Sequence, residues 1–255
     1  MRTTVALTIA GSDPSGGAGI QADLKTFHQF GVYGEAVITL VTVQNTRGVR
    51  RVEPLDAALV AEQIRAVFED IPPQAAKTGA LGNRAIAEVI ANIANELKFP
   101  FVVDPVMISK HGAPLWDGPM PLIPAYLITP NLHEASVLAG FAVDDLESMR
   151  RAARKIQENG AANVLIKGGH LSGEAVDLLC TSNGEFHEFA APRIETVHTH
   201  GTGCTYSAAI TAELAKGTAL ITAIERAKAF ITEAIRTNPG LGGGCGPLNH
   251  FAKPR

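Results

Sequence analysis

The segment His200-Gly201-Thr202-Gly203-Cys204-Thr205 closes a polar stretch and opens an apolar run from Ala208 to Leu214. Two glycines let a chain turn tightly and aim successive amide N–H groups into one space, and a helix starting there favours negative charge at its first turn. A thiol stands at that spot. The field that holds a phosphate also lowers a thiol's pKa, so the segment predicts an anion hole with a base or nucleophile built in. Taken alone, it is equally the start of a helix carrying a buried cysteine.

Other polar groups recur at the ends of short apolar runs. Gly11-Ser12-Asp13-Pro14-Ser15-Gly16-Gly17-Ala18-Gly19 follows the first run; it can bring backbone against a ligand, but lacks the GKS or GKT ending of a P-loop and the spacing of GxGxxG. Gln44-Asn45-Thr46 follows the second, where an amide offers a donor and an acceptor together to a heteroaromatic ring. Asp104 ends another run, and Glu134 opens a helical pattern after Thr129-Pro130-Asn131. Two carboxylates so placed suit Mg²⁺ held through water beside a polyphosphate, and each also suits a helix cap. Lys167-Gly168-Gly169-His170 closes a further run with a cation and two glycines, which suits phosphate.

The elements that must position these groups show in the periodicity. Apolar runs at 5–10, 36–43, 75–77, 101–103, 126–129 and 164–166 predict strands, and three-to-four spacing predicts helices over 21–30, 57–70, 83–97, 132–139 and 146–159. Their alternation predicts an α/β fold with a mostly parallel sheet and helices on both faces. Runs at 176–181 and 185–190 flank Ser182-Asn183-Gly184 and predict a hairpin, hence a small antiparallel edge. Two helices over 204–216 and 219–236 follow, and the glycine-rich 240–247 reads as a tail or covering loop. In open α/β sheets ligands bind beyond the carboxyl ends of the strands, where this chain collects its glycines, amide, acids and lysine. Phosphoryl transfer to a small molecule uses all of them.

The chain has 255 residues, 46% of them hydrophobic and 18% charged, with a formal net charge of −3. That predicts one domain over 1–255 with a substantial core, and no electrostatic footprint for nucleic acid. Three cysteines, Cys180, Cys204 and Cys245, are too few and too scattered for a disulfide framework or zinc knuckle. No apolar run reaches membrane-spanning length, and the first ends at Gly11, too early for a signal peptide. The expectation is a cytoplasmic protein whose partners are small molecules.

The stretch from Leu7 to Lys25, together with Val43-Gln44-Asn45-Thr46, Lys77-Thr78-Gly79, Asp104-Pro105-Val106-Met107, Thr129-Pro130-Asn131, Lys167-Gly168-Gly169-His170 and Thr199-His200-Gly201-Thr202-Gly203-Cys204-Thr205, resembles the bacterial hydroxymethylpyrimidine/phosphomethylpyrimidine kinases of the ribokinase superfamily. The match runs in unbroken order from about Leu7 to Pro247. The resemblance implies a ribokinase-like three-layer fold. It implies ATP- and Mg²⁺-dependent phosphorylation of 4-amino-5-hydroxymethyl-2-methylpyrimidine and then of its monophosphate, for thiamine biosynthesis. On that footing Gln44, Gly11, Asp23 and Val106 bind substrate, Gly201 and Gly203 form the anion hole, Cys204 is the base, Lys167 and Thr202 meet phosphate, and Asp104 and Glu134 are the metal-associated acids. A homodimer is implied as well. Ala80 stands where the family often has Met, and His111-Gly112-Ala113 within the lid-like 108–115 where Ser-Gly-Asp is usual. Pyridoxal kinase of the same fold is the close alternative; a thiol acyl-transfer enzyme and a non-catalytic pyrimidine-binding protein are the more distant ones.

Overall fold

The computed structural model describes residues 3–108, 112, 115, 116, 123–169 and 174–254. Most of the lid-like 108–115 and His170 lie outside the described residues.

In chain order the elements are β1 (Val5–Ser12), α1 (Gly19–Gln29), β2 (Tyr33–Asn45), β3 (Gly48–Pro54), α2 (Ala57–Asp70), β4 (Ala75–Thr78), α3 (Arg84–Ala94), β5 (Phe101–Val103), β6 (Ala125–Ile128), α4 (Leu132–Ala139), α5 (Leu146–Glu158), β7 (Ala161–Ile166), β8 (Ala175–Cys180), β9 (Phe186–Ala191), α6 (Thr202–Ala215) and α7 (Leu220–Arg236). They build one nine-stranded sheet in the order β3-β2-β1-β4-β5-β6-β7-β8-β9. The strands from β2 to β7 in that order run parallel, and β3, β8 and β9 are antiparallel additions.

Side chains alternate across the sheet with a period of two, so one strand feeds two cores. Leu7, Ile9, Phe101, Val103, Val164 and Ile166 pack with apolar residues of α2 to α5. Ala6, Val102 and Leu165, one step out of phase, pack with α1, α6 and α7. Burial on both faces is why these strands read as continuous apolar runs. Helix starts follow local chemistry: the Asp56 carboxylate accepts from the Ala58 and Leu59 amides at α2, and Asn83 accepts from Ile86 at α3.

Two differences from the sequence expectation bear on the site. Residues 48–54 form β3, which pairs antiparallel with the outer half of β2, so the sheet carries a second antiparallel edge. The same hairpin lengthens β2, so Gln44 lies within the strand rather than beyond it. The register slips between Val43 and Gln44: Val43 faces Arg51, Gln44 faces Val49, and Arg50 is left over. Such a bulge re-aims the side chain beside it. Leu40, Thr42 and Gln44 face inward, while Val41 and Val43 point to solvent.

Candidate active site

β1, β4, β5, β6 and β7 all end at one edge of the sheet, and the loops after β1, β5, β6 and β7 meet the first turn of α6 around a cavity of about 920 Å³. Gly11, Gln44, Val106 and Ala80 lie on its walls, as do Asp104, Glu134 and Lys167, and so do Gly201, Thr202, Gly203 and Cys204. The groups singled out in the sequence therefore share one space, with one exception. Asp23 does not line the cavity; it lies fully buried under it, and the substrate contact expected of it is corrected by its partners. Lys77 Nζ sits 2.8 and 2.9 Å from its two carboxylate oxygens, and the Thr8 hydroxyl donates to Oδ2 at 2.6 Å. An acid so enclosed is engaged by Lys77 and Thr8 instead of opening to the cavity.

The turn that opens α6 depends on glycine. Gly201 has φ +82°, a left-handed conformation that favours glycine, and a Cβ there would overlap the Gly17 carbonyl. No side chain caps α6. The Thr202 amide turns back to the Thr199 carbonyl at 3.3 Å and the Thr205 amide to the Gly201 carbonyl at 2.9 Å; the Gly203 and Cys204 amides between them, which a helix start leaves without a partner inside the helix, are the ones aimed at a ligand. A Cβ built on Gly203 would stand 3.3 Å from Lys167 Nζ and 3.7 Å from Asp104 Oδ2, so the helix start, the lysine and the acid converge. Lys167 reaches this point because its strand continues as a bridge to Asn131. Its ammonium donates to Asp104 Oδ1 at 2.9 Å, and the Thr129 and Ser207 hydroxyls also donate to Asp104, at 3.2 and 3.3 Å. The Thr202 hydroxyl donates to the Thr199 carbonyl at 2.8 Å, fastening the turn.

Asp13 ties the first glycine loop to this turn. Its carboxylate accepts from the amides of Ser15, Gly17 and Ala18 and from the Ser15 hydroxyl, and lies 2.9 Å from His200 Nε2. Burial alone would raise its pKa; the bonds from His200 and Ser15 outweigh burial and hold it far below the usual carboxylate range.

The electrostatics overturn one expectation. The helix start was expected to lower the Cys204 pKa, but burial pushes the thiol up to about 12, against the pull of the Lys77 charge and a hydrogen bond from the Gly19 amide. Desolvation of a thiolate exceeds what one helix turn and one paired lysine return. Lys77, at the end of β4, is the functional-site neighbour that sequence reasoning missed. Burial would lower its pKa, but Asp23, Cys204 and Asp104 together raise it, so it stays a cation. Burial pushes Glu134 up to about 7, with Lys167 opposing and Asp104 adding to the rise. Burial would raise Asp104 too, but Lys167 and Lys77 pull it below its ordinary value.

Glu134 is both of the things its position allowed. Its carboxylate accepts from the Asn131 amide at 2.8 Å while Asn131 accepts from the Glu134 amide at 2.9 Å, a capping box that starts α4; the same carboxylate borders the cavity. Among the described residues no group of three or more His, Cys, Asp or Glu forms a metal cage. Two buried acids, Asp104 and Glu134, on the wall of one cavity do fit Mg²⁺ held chiefly by phosphates and water, the way that ion usually binds.

A doubly wound sheet, glycine turns abutting at a helix start, and a lysine and two acids beneath them define a ribokinase-like small-molecule kinase, the fold shared with solved pyridoxal kinases. The structure of pyridoxal kinase from Staphylococcus aureus with ADP matches with a TM-score of 0.89 at 34% identity, over 99% of this chain and 95% of that one. The pyridoxal kinase of Bacillus subtilis with ADP gives 0.87 at 40%, over 98% of both chains. Phosphomethylpyrimidine kinase from Clostridium difficile gives 0.80 at 44%, over 91% of this chain and 100% of that one. The chain belongs to the phosphomethylpyrimidine kinase family, whose model matches residues 13–249. Hydroxymethylpyrimidine/phosphomethylpyrimidine kinase of Bacillus subtilis is 46% identical, over 98% of this chain and 96% of the relative. The thiamine biosynthesis bifunctional protein ThiED of Geobacter sulfurreducens is 49% identical over 96% of this chain, which spans 52% of that longer protein.

Proposed function

We propose that the protein transfers the γ-phosphoryl group of ATP to the hydroxymethyl oxygen of 4-amino-5-hydroxymethyl-2-methylpyrimidine, and then phosphorylates the monophosphate, supplying thiamine biosynthesis. The observation that carries the reading is the convergence of Gly203, Lys167 and Asp104 at one wall of the cavity that holds Gln44 at another. Gln44, beside Gly11 and Val106, holds the ring by its amide. The amides at Gly201 and Gly203, with Thr202 and the Lys167 ammonium, surround the moving phosphoryl group, where charge spreads over its oxygens. The new O–P bond forms as the bridging O–P bond of ATP breaks and ADP departs. Asp104 and Glu134 would hold Mg²⁺ through water, and the ion would supply neutralisation of phosphate charge there. Cys204 takes the alcohol proton in its thiolate form, a minor population at neutral pH, so the amides and Lys167 lower the barrier more than the sulfur does.

The whole chain acts as one kinase domain in this reading, in the cytoplasm and as a homodimer. Relatives named hydroxymethylpyrimidine/phosphomethylpyrimidine kinase, 45–46% identical over nearly all of the chain, support the kinase reading. Pyridoxal is the second alcohol to consider, because solved pyridoxal kinases superpose with TM-scores up to 0.89 and Ala80 leaves a small side chain on the pocket wall. Acyl transfer through Cys204 has less support, since His200, the histidine nearest in sequence, directs Nε2 to Asp13. The test is ATP-dependent product mass with the pyrimidine alcohol, its monophosphate and pyridoxal in parallel. The pyrimidine alcohol should turn over fastest; pyridoxal turning over faster would replace this reading with the second.

A further inference from the structure

The glycine-rich segment after α7 is not a loose tail. At its far end Leu248 is buried, the Asn249 amide donates to the Ala234 carbonyl at 3.1 Å, and His250 Nε2 lies 3.1 Å from the Thr205 hydroxyl. Residues 242–247 thus start from an anchor on α6 and α7. From there they reach the tip of the β2–β3 hairpin. A Cβ on Gly244 would overlap the Thr46 carbonyl oxygen and stand 2.7 Å from its carbon, and one on Gly242 would strike the Thr46 side chain. Backbone here lies on backbone, an approach that excludes any side chain. The same segment also grips the phosphate side. The His200 amide donates to the Gly246 carbonyl at 3.1 Å, the Gly246 amide donates to His198 Nδ1 at 3.2 Å, and Pro247 pairs with His200 as a β-bridge.

The hairpin needs such a hold. β3 is the edge strand, and its residues are exposed or half-buried. Gln44 stands two residues before Thr46, beside the bulge, at the part of β2 held only by β3. We propose that residues 242–247 form a strap that positions Gln44 against the phosphate-binding turn, with the Gly244–Thr46 backbone contact setting the distance between ring recognition and phosphoryl transfer. The proposal rests on Gln44 binding the ring, as in the reading above. The strap contacts no substrate itself; it acts through the hairpin.

Gly244→Ala is the test, with Gly243→Ala as its control, because the nearest atoms to a methyl at Gly243 belong to the guanidinium of Arg47, the free end of a flexible side chain. Initial rates with the pyrimidine alcohol and ATP give KM for each. Gly244→Ala is expected to raise the pyrimidine KM about tenfold or more and leave the ATP KM within about twofold, while Gly243→Ala changes neither. Placed on Gln44→Ala, it should add little, since the two act through one contact. If Gly244→Ala fails to fold, Thr46→Ala, which removes Oγ1 and Cγ2 under Gly242 and so loosens the second contact of the strap with the hairpin while leaving the backbone contact in place, carries the same expectation at smaller size. An unchanged pyrimidine KM in the folded variant, an equal rise in both KM values, or full additivity with Gln44→Ala overturns the strap. A Gln44→Ala enzyme with wild-type pyrimidine KM overturns instead the ring-binding reading on which it rests.

Discussion

If Cys204 is the proton acceptor, its thiol sets the pH dependence of the chemical step. With a pKa pushed up to about 12, the thiolate fraction is about 10⁻⁵ at pH 7, which costs about 7 kcal/mol at 1.36 kcal/mol per unit. That fraction grows about tenfold per pH unit, from about 10⁻⁴ at pH 8 to about 10⁻² at pH 10. Neighbouring groups leave that window clear. Glu134, at about 7, is ionised throughout, and Lys77 and Lys167 are held above the ordinary lysine value by their acids despite burial. Single-turnover phosphoryl transfer to the pyrimidine alcohol, quenched between pH 8 and 10, should therefore accelerate about a hundredfold in the wild-type protein. Cys204→Ala should bind nucleotide normally, lose about 10²–10⁴ in rate at pH 10 and show no such slope. Cys204→Asp, ionised over the whole window, should also be flat. A Cys204→Ala enzyme with the wild-type slope and rate would refute the assignment and leave the amides and cations to act without a protein base.

Three further outcomes follow from the buried charges and the turn. Lys77→Met should cost about 3–5 kcal/mol in urea unfolding by stranding Asp23, and adding Asp23→Asn should recover part of it; a loss below about 0.5 kcal/mol would contradict the buried pair. Gly201→Ala, with its methyl against the Gly17 carbonyl, should lower kcat about 10²–10³-fold through loss of the aligned amides, read in steady-state assays. Glu134 has a folded pKa raised from 4.5 to about 7, so the folded state holds the proton more tightly and stability falls as pH rises through that interval. Glu134→Gln should therefore be more stable than wild type by about 3 kcal/mol at pH 8, equal at pH 4, and slower in turnover, by denaturation at the two pH values and by kinase assay.

Most of the fold was legible because its central strands are buried on both faces and most of its helices on one, leaving strong periods in the sequence. β3 was not. Gly48-Val49-Arg50-Arg51-Val52-Glu53-Pro54 stands at the sheet edge with its arginines and Glu53 in solvent, so it carries no apolar run. Gln44 was found by type but misplaced by one element, because the strand bearing it continues on hairpin pairing rather than burial. Lys77 had a signal that went unused: a cation closing the apolar strand Ala75–Thr78, and an acid, Asp23, in the buried stripe of α1 with Ile20 and Phe27. Charges in such positions require each other. The high pKa of Cys204 was not legible at all, since it depends on how much protein the assembled loops pack around a thiol that still borders the cavity.

The second apolar core joins distant parts of the chain. Phe27 and Phe30 pack with Tyr206, Ile224 and Phe230, nearly two hundred positions later. At ribosomal rates of about 5–20 residues per second, that face of the sheet waits roughly 10–40 s for its cover. Nascent chains stalled before α6 should accordingly engage chaperones, and folding should be slow for a protein of this size because its closing contacts are so remote along the chain.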